Sequence, residues 1–360
     1  MAPSSNFWRG KRVLLTGHTG FKGAWAARRL TRLGARVTGL SLAPQTDPNL
    51  HTLLKTAVDA EYMCDIRDEA AVRRTTLAAR PNIVLHLAAQ ALVPQSYRDP
   101  VGTFAANVMG TIHLLEALRG QHDVEATVIV TTDKVYANDE RAHSFVETDP
   151  LGGDDPYSAS KAAAEIATHA WSKSFAKGAG RIGTARAGNV IGGGDWSADR
   201  LVPDIVRAAE TGRQLVLRRP EAVRPWQHVL DPIDGYLMYA EALATCQAVP
   251  ASLNFGPCDG VQLTVGAVAG QLMAALASGT MSPPGWRHEP EPGIGEKATL
   301  ALDASAAKAM LGWRAKLSTR LALDWTVAWY KGLHQGDDAA ALTDAQIAAF
   351  EALPANNADS

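Results

Sequence analysis

Short runs of β-branched and aliphatic residues alternate with stretches of helical periodicity over the first half of the chain. The runs predict strands at 12–16, 36–42, 61–66, 83–90, 127–131 and 182–186. Amphipathic or Ala-rich stretches between them predict helices at 21–33, 48–57, 67–79, 100–118 and 157–175. Because alternating strands and helices form right-handed parallel crossovers, the pattern predicts an α/β fold with a doubly wound parallel sheet.

The rhythm breaks near residue 188, where the chain becomes richer in Pro, Gly, Arg and Trp. Further helices are predicted near 201–211, 231–245, 264–278, 303–311 and 318–332, with a short strand at 215–217. Val229 and Asn254-Phe255 are predicted to return to the first sheet. We therefore expect a first domain at 1–188 with returns near 225–256, a smaller discontinuous α/β lobe at 189–224 and 257–333, and a peripheral tail at 334–360.

The composition is typical of a soluble globular enzyme, with 46% hydrophobic and 20% charged residues in 360. A formal net charge of −2 without a Lys/Arg cluster argues against nucleic acid as a partner. Cys64, Cys246 and Cys258 are widely separated, which favours reduced thiols. The sequence shows neither a signal-peptide pattern nor an apolar run of about 20 residues, so we expect a cytoplasmic protein that does not bind membranes.

A glycine-rich turn joins the first predicted strand to the first long helix. It reads Gly17-His18-Thr19-Gly20-Phe21-Lys22-Gly23, with the spacing G-x-x-G-x-x-G. Glycines permit a tight turn and close approach of the backbone to a pyrophosphate, while the N–H groups of a helix start attract the anion. The context favours dinucleotide binding over a plain structural turn and makes 1–188 the dinucleotide-binding domain.

The ends of the next strands are expected to face the cofactor. No acid ends the second strand, where NAD enzymes usually have one, so Ser41 or the later Asp47 is the candidate ribose partner and the choice between NAD and NADP stays open. Asp65, followed by Ile66, either accepts a hydrogen bond from adenine or caps the helix at 67–79.

Small residues follow the fourth strand, and a polar residue interrupts the helix after it. Leu87-Ala88-Ala89-Gln90 would let the cofactor lie against the sheet. Asn107 stands among apolar residues, and a buried Asn needs hydrogen-bond partners. We expect Asn107 to contact backbone, water or substrate near the site.

Candidate proton-transfer groups are concentrated between residues 131 and 161. Thr132-Asp133-Lys134 ends the fifth strand, and Tyr157 and Lys161 lie four residues apart at the start of a helix. Residues with this spacing share a helical face, so the ammonium of Lys161 can favour the phenolate of Tyr157. A lone Tyr-x-x-x-Lys is common in structural helices, and only its neighbours make it a catalytic candidate.

These residues resemble those of the extended short-chain dehydrogenase/reductase family of Rossmann enzymes, from about residue 7 to 333. The features shared across that family are Gly17, Gly20, Gly23, Asp65, Leu87-Ala88-Ala89, Thr132, Tyr157 and Lys161. Features similar to nucleotide-sugar 4,6-dehydratases acting on CDP-glucose are the 17–23 turn, Thr132-Asp133-Lys134-Val135-Tyr136 and Arg224-Pro225-Trp226-Gln227-His228-Val229-Leu230. Related dehydratases carry Glu where this chain has Lys134.

The resemblance implies NAD as cofactor, CDP-glucose as substrate and a 4-keto-6-deoxy sugar as product. Tyr157 would remove the 4-hydroxyl proton while Thr132 hydrogen-bonds that oxygen. Asp133 would protonate the departing 6-hydroxyl and Lys134 would remove the C5 proton. Implied cofactor contacts are Gly17, Thr19, Gly20, Phe21, Lys22, Gly23, Ser41, Asp65, Ile66, Leu87, Ala88, Ala89, Gln90, Tyr157 and Lys161.

The second lobe is expected to bind the nucleotide sugar. Asn189, Arg200, Arg224 and His228, together with Asn107, are the candidate substrate contacts, since Arg supplies forked donors for a diphosphate. None of the ten histidines lies in a ligand-spaced cluster, so no metal is predicted.

The resemblance also implies a homodimer, in which the helices at 100–118 and 157–175 form a four-helix interface, or a tetramer built from such dimers. Another nucleotide-sugar 4,6-dehydratase or a 4-epimerase is the nearest alternative, although an epimerase needs no acid–base pair for C5 and C6. A non-enzymatic dinucleotide sensor is a further alternative, since fold does not fix function.

Overall fold

The computed structural model describes residues 2–56, 58–140, 143–175, 180–257, 261, 263–277, 285–290, 297 and 299–354. Cys258 lies outside the described residues. The strands are β1 (Arg12–Thr16), β2 (Arg36–Ser41), β3 (Ala60–Met63), β4 (Ile83–His86), β5 (Ala126–Val130), β6 (Arg181–Ala187), β7 (Val190–Ile191), β8 (Leu215–Leu217), β9 (Val223–Arg224), β10 (Gln227–His228), β11 (Ser252–Phe255), β12 (Leu263–Thr264) and β13 (Trp286–His288).

Helices flank the strands throughout. They are α1 (Ser5–Trp8), α2 (Phe21–Arg32), α3 (Leu50–Leu54), α4 (Glu69–Ala79), α5 (Val93–Arg98), α6 (Pro100–Phe104), α7 (Gly110–Leu118), α8 (Pro156–Ser174), α9 (Leu201–Thr211), α10 (Leu230–Ala244), α11 (Val265–Leu276), α12 (Ser305–Leu311), α13 (Thr319–His334) and α14 (Ala339–Ala352). A π-helical turn, Ala105–Met109, joins α6 to α7, and a 3₁₀ turn, Asp133–Val135, follows β5.

Seven parallel strands form the central sheet in the order β11-β6-β5-β4-β1-β2-β3. The predicted doubly wound sheet is therefore confirmed. Strand order reverses between β1 and β4, and ligands of open α/β sheets bind beyond the carboxyl ends of the strands at such a point. The inner strands are buried because helices cover both faces, which explains their continuous aliphatic sequences.

The two predicted returns to this sheet have different outcomes. Asn254 and Phe255 do return, because β11 pairs with β6 at the edge of the sheet. Val229 does not return: β10 pairs instead with β7 in a separate two-stranded sheet, and the Val229 N–H donates to Ile191 O at 2.8 Å. The helix that follows, α10, packs against β5 and β6.

The helix at 100–118 is long and apolar enough, by length and composition, to cross a bilayer. In this structure 44% of its most apolar window is buried inside the protein. Its buried polar residues also bond within the fold, since Thr111 Oγ1 donates to Asn107 O at 2.7 Å. The segment therefore has the contacts of a core helix, which makes its length and composition weak evidence for a membrane span.

A buried ion pair attaches α8 to the sheet. Arg186 on β6 donates to both carboxylate oxygens of Glu165, from Nε at 3.0 Å and from Nη2 at 2.8 Å. Thr184 Oγ1 donates to the same carboxylate at 2.6 Å, and the hydroxyl of Thr131 donates to it at 2.5 Å. Full hydrogen bonding makes the buried charges tolerable, and it fixes the helix that carries Tyr157.

The end of the chain corrects a prediction, because residues 339–352 are not a peripheral tail. Helix α14 buries Ile347 and Phe350, with relative exposures of 0% and 1%. Its acids also pair with α2, where Arg28 Nε donates to Asp344 at 2.8 Å and Arg29 Nη1 to Glu351 at 2.6 Å. The Ala-rich composition gave no clear apolar periodicity, and the buried face of α14 is defined only by its packing against α13 and α3.

Replacing Ile347 tests this packing. Ile347→Ala should lower the free energy of unfolding by about 2–5 kcal/mol, the usual cost of a buried aliphatic-to-Ala change. Leu77→Ala on α4, where the side chain is 54% exposed, is the control and should change it by less than about 0.5 kcal/mol. Urea unfolding measures both, and equal small effects would contradict the packing of α14.

Candidate functional site

A cavity of about 760 Å³ opens at the carboxyl ends of the central strands. Its walls come from the central sheet and from the segments around α9 and β8. Of the candidate site residues proposed from the sequence, all but Asp47, Asn107 and His228 line this cavity, so Ser41 is the better placed of the two candidate ribose partners. The topology therefore brings the expected cofactor and proton-transfer residues into one space.

The glycine turn makes contacts that leave no room for a side chain. Gly17 has φ +76°, and a Cβ there would lie 2.7 Å from Ala88 N. A Cβ on Gly23 would lie 2.0 Å from Gly17 O, where α2 crosses the turn. The first glycine thus serves the bend and the third the packing of α2 on the strand, as a dinucleotide-binding turn requires.

The start of α2 is suited to an anion. Gly20 is its N-cap and provides no side-chain hydrogen bond, and the first turn contains no acid. The first N–H groups of a helix have no intrahelical partners and carry a partial positive charge. Because Phe21, Lys22 and Gly23 line the cavity at this point, a dinucleotide pyrophosphate fits here.

Hydroxyl groups line the expected adenosine end. The hydroxyls of Thr19 and Ser41 lie 2.7 Å apart, and Thr19 Oγ1 also donates to Leu42 O at 2.9 Å. Asp65 lines the cavity, and its pKa is lowered by the guanidinium of Arg67, which binds both carboxylate oxygens. The helix-cap alternative for Asp65 is wrong, since Asp68 caps α4 by accepting from Ala71 N at 2.9 Å.

A polar chain holds the end of β4 beside the turn. Thr16 Oγ1 accepts from the N–H groups of Leu87 and Ala88, both at 3.1 Å, and lies 2.7 Å from His86 Nδ1. Burial lowers the pKa of His86 to about 3, so the ring is neutral and acts in hydrogen bonding. Thr16 thus fixes the backbone of Leu87 and Ala88, which are predicted to face the cofactor.

Tyr157 and Lys161 lie in the buried first turns of α8. The helix is capped by Asp155, which accepts from Ser158 N at 2.9 Å, and Pro156 occupies the first turn. Lys161 Nζ donates to Val130 O at 2.9 Å, so β5 fixes its position. The spacing therefore places both side chains at the cavity wall, as predicted.

The electrostatics of this pair differ from the expectation. Burial raises the pKa of Tyr157 to about 12, while a hydrogen bond with Thr132 and the charge of Arg200 act to lower it. Burial also lowers the pKa of Lys161 to about 8, with Glu165 opposing the shift. Desolvation disfavours both charged forms and outweighs the simple attraction that residue spacing suggested.

Asp133 and Lys134 form a second pair of titratable groups at the cavity wall. Asp133 is 1% exposed, and its Oδ1 accepts from Thr132 Oγ1 at 2.9 Å and lies 3.4 Å from Lys134 Nζ. Its other oxygen, Oδ2, is buried without a hydrogen-bond partner among the described residues. A buried carboxylate oxygen without a partner at the cavity wall is suited to a substrate hydroxyl.

Lys22 extends beyond the phosphate turn toward this centre. Its Nζ donates to the hydroxyl of Tyr236 at 3.2 Å and lies 5.5 Å from the centre of that ring. Burial, with the charges of Arg200 and Lys161, lowers its pKa to about 7, while Asp133 opposes the shift. The sequence motif placed this residue correctly at the turn but did not indicate where the ammonium points.

Arginines occupy the side of the cavity opposite the sheet. Arg200 lies at the N-cap of α9 with Nη1 3.6 Å from Asp195 Oδ2, and Arg224 lies on β9. Asn189 also lines the cavity, two residues after the end of β6. Arg218 and Arg219 also line it and were missed, although an Arg pair directly after a predicted strand was the available signal.

Asn107 and His228 correct the predicted substrate contacts. Asn107 accepts from Gln90 N at 2.8 Å and donates to Gln90 O at 3.0 Å and Ser160 Oγ at 2.8 Å, so protein groups use its amide. His228 is fully buried, and its ring lies between those of Trp25 and Trp325, with centroids 5.8 and 5.6 Å away. Both are core residues that hold loops of the site.

Known proteins share this architecture. The model of the NAD-dependent epimerase/dehydratase family matches residues 13–251. The chain is 40% identical to the CDP-glucose 4,6-dehydratase of Salmonella typhimurium over 92% of this chain and 94% of that protein. The dTDP-glucose 4,6-dehydratase of Streptomyces venezuelae, solved with NAD and TYD bound, has a TM-score of 0.77 and 25% identity over 91% of this chain and 99% of its own.

A UDP-glucose 4-epimerase of Thermus thermophilus, solved with NAD, has a TM-score of 0.74 and 28% identity over 89% of this chain and 99% of its own. Dehydratases and an epimerase thus share the fold. The resemblance and the Rossmann-type sheet predicted from the sequence are both confirmed.

Gly17 and Gly10 provide a matched test of the cofactor turn. Both have positive φ, of +76° and +75°, but only Gly17 has backbone atoms where a Cβ would lie. Gly17→Ala should weaken NAD binding by at least about tenfold, because the turn must move away from β4. Gly10→Ala should leave the dissociation constant within about twofold. Calorimetric titration of the folded variants with NAD measures both dissociation constants. Equal constants would contradict the assignment of the 17–23 turn to the cofactor.

Proposed function

Because the chain belongs to the NAD-dependent epimerase/dehydratase family, we propose that it is an enzyme converting CDP-glucose to CDP-4-keto-6-deoxyglucose with loss of water. The observation that carries this proposal is the contact between Asp133 and Lys134 beside Thr132 and Tyr157 in one cavity. An acid and a base next to a Tyr/Lys pair match a reaction that removes a C5 proton and a C6 hydroxyl. A 4-epimerase has no use for that second pair.

NAD is the cofactor, and when bound it accepts a hydride from the sugar and returns it. The glycine turn and the start of α2 would hold its pyrophosphate, with Thr19 and Ser41 at the ribose. Leu87, Ala88 and Ala89 would let it lie against the sheet. These groups bind and orient, which leaves proton transfer to other side chains.

Tyr157 takes the proton of the 4-hydroxyl in the oxidation half of the reaction. Thr132 hydrogen-bonds the phenol and marks where the sugar oxygen would lie. Burial opposes the phenolate, so positive charge must compensate: Arg200 acts in that direction, and the ammonium of Lys161 lies one helical turn away. Proton removal therefore depends on a closed and positively charged site.

Asp133 and Lys134 carry out the elimination. A proton passed from the Lys134 ammonium to the Asp133 carboxylate, now 3.4 Å apart, creates an amine base and a carboxylic acid. The amine removes the C5 proton that the 4-ketone has made acidic, and the acid protonates the 6-hydroxyl as it leaves as water. Lys134 then returns its proton to C5 when C6 is reduced, and the proton that Tyr157 took from the 4-hydroxyl is passed back to Lys134 through solvent before the next turnover.

The Arg-rich wall would bind the diphosphate of the substrate. Arg200, Arg224 and Asn189 line the same cavity as the proton-transfer groups. Forked guanidinium donors bind two phosphate oxygens at once, which orients the sugar as well as attracting it. Arg218 and Arg219 extend the same wall and are added to the predicted set.

A homodimer is supported by exposed apolar residues on two neighbouring helices. Val101 and Phe104 on α6, Met109 after them and Ile166 on α8 have relative exposures of 79%, 39%, 45% and 60%. Monomeric proteins rarely expose such a patch, whereas the helices of a four-helix interface require one. We infer that these helices pair with those of a second copy.

The function is tested with CDP-glucose deuterated at C4. The deuterium should appear at C6 of the 4-keto-6-deoxy product within the same molecule, because one cofactor is reduced and reoxidised in place. Mass spectrometry of a mixture of labelled and unlabelled substrate measures the transfer. Product from dTDP-, GDP- or UDP-glucose but not from CDP-glucose would overturn the choice of nucleotide, and a C4 epimer would overturn the reaction.

Lys134→Ala separates elimination from oxidation. NADH absorbance should still appear on mixing with CDP-glucose, because oxidation at C4 needs Tyr157 rather than Lys134. Solvent-deuterium exchange at C5 should fall at least about a hundredfold, the usual scale for losing a positioned base. Exposed Lys308 is the control, and Lys308→Ala should match the unmodified enzyme in both measurements. Exchange at the native rate in Lys134→Ala would disprove the base assignment.

Ile166→Glu tests the dimer. The chain should have the mass of a dimer at micromolar concentration, and Ile166→Glu should shift it to a monomer by burying an unpaired charge. Leu77→Glu, at a similarly exposed position on α4, should leave the mass unchanged. Light scattering after size exclusion gives the masses, and a monomeric native chain would refute the interface.

A further inference from the structure

Three potential metal ligands meet behind the cofactor turn, outside the cavity described above. His18 follows Gly17 in the turn, His51 lies in the first turn of α3, and Glu61 lies on β3. Pairing of β2 with β3 brings Glu61 beside Gly39, on which the His18 ring packs. One ligand atom from each residue lies within 4.8 Å of the other two.

The separations suit a tetrahedral ion. Glu61 Oε1 is 3.5 Å from His18 Nε2 and 3.2 Å from His51 Nε2. Zinc binds these atoms at about 2.0–2.2 Å, which puts neighbouring ligands of a tetrahedron about 3.4 Å apart. Two His nitrogens and one carboxylate oxygen form a known zinc ligand set that leaves a fourth position for water.

The burial of His18 supports a metal site independently of the distances between the three ligand atoms. Its side chain is 0% exposed, and the groups near its ring nitrogens include the Leu40 backbone and the Glu61 carboxylate, which lies 3.5 Å from Nε2, but neither nitrogen meets hydrogen-bond geometry with a described residue. A buried polar group without a partner destabilises a fold, so such a group normally has a ligand, a water or an ion.

Solvent can reach the cluster from the side opposite the cofactor. His51 and Glu61 line a second, open cavity together with Pro44, Lys55 and Val58. Their side chains are 14% and 34% exposed, so an ion can enter and keep one water. We propose that His18, His51 and Glu61 form a Zn²⁺ site that joins the cofactor turn to α3 and β3.

Such an ion would strengthen the outer edge of the sheet. β3 is the edge strand of the seven-stranded sheet, and most of its residues are exposed to solvent. An ion that binds the folded chain but not the unfolded chain raises the free energy of unfolding by mass action. Because one ligand is within the 17–23 turn, the ion would also fix the loop on which the cofactor pyrophosphate lies.

The test uses the full-length, untagged protein stripped with a chelator and then titrated with Zn²⁺ against a chromophoric competitor. We expect one Zn²⁺ per chain with a dissociation constant below about 1 μM. His51→Ala should weaken Zn²⁺ binding at least about a hundredfold, because it removes a direct ligand. Loss of a residue that only hydrogen-bonds to a ligand has a smaller effect. Glu61→Gln, which keeps the side-chain volume, should weaken it as well.

His122, exposed and remote in the sequence from the cluster, provides the control. His122→Ala should bind Zn²⁺ with the native constant, and Zn²⁺ should raise its melting temperature as it does that of the native chain. The same Zn²⁺ should not raise the melting temperature of His51→Ala. Native-like affinity in His51→Ala, or no binding below about 100 μM in the native protein, would overturn the proposal.

Discussion

The buried ion pair between Glu165 and Arg186 is the contact on which the geometry of the site depends. It joins α8 to β6, and hydrogen bonds from Thr131 and Thr184 complete the carboxylate. Removing one partner would leave a buried charge uncompensated, at a cost of about 3–5 kcal/mol. Tyr157 lies two turns earlier on the same helix, so the depth at which its phenol meets the cavity follows from this anchor.

Charge is distributed unevenly around the cavity. One region suits the dinucleotide cofactor, and another suits the diphosphate of the proposed substrate. The cofactor side offers backbone N–H groups, hydroxyls and small residues, which can surround a dinucleotide without a strongly basic surface. The opposite side carries Arg200 and Arg224. Between them lie the proton-transfer groups, including Asp133 with a buried oxygen that has no partner in the described chain. The formal net charge of −2 therefore does not indicate the electrostatic potential inside the cavity.

Fold and family leave several reactions open, because an epimerase and a dehydratase share this fold. What distinguishes the proposed reaction is a single local contact, that of Lys134 with Asp133. In the proposed mechanism, oxidation at C4 uses Tyr157. Elimination requires a further base and acid, and the two adjacent residues after β5 offer both without any change in the fold.

The sequence alone determined the parallel sheet, the cofactor turn and the pairing of Tyr157 with Lys161, because each depends on local periodicity or spacing. It could not show whether a polar residue bonds to a ligand or to the protein. Asn107 was expected to contact backbone, water or substrate and bonds to protein groups, whereas His228 was assigned to the substrate and proved to be a core residue. Desolvation likewise depends on tertiary packing, which is why the pKa of Tyr157 rises to about 12 instead of falling. The meeting of His18 with residues 33 and 43 positions later was decided only by the pairing of β2 with β3 and the docking of α3.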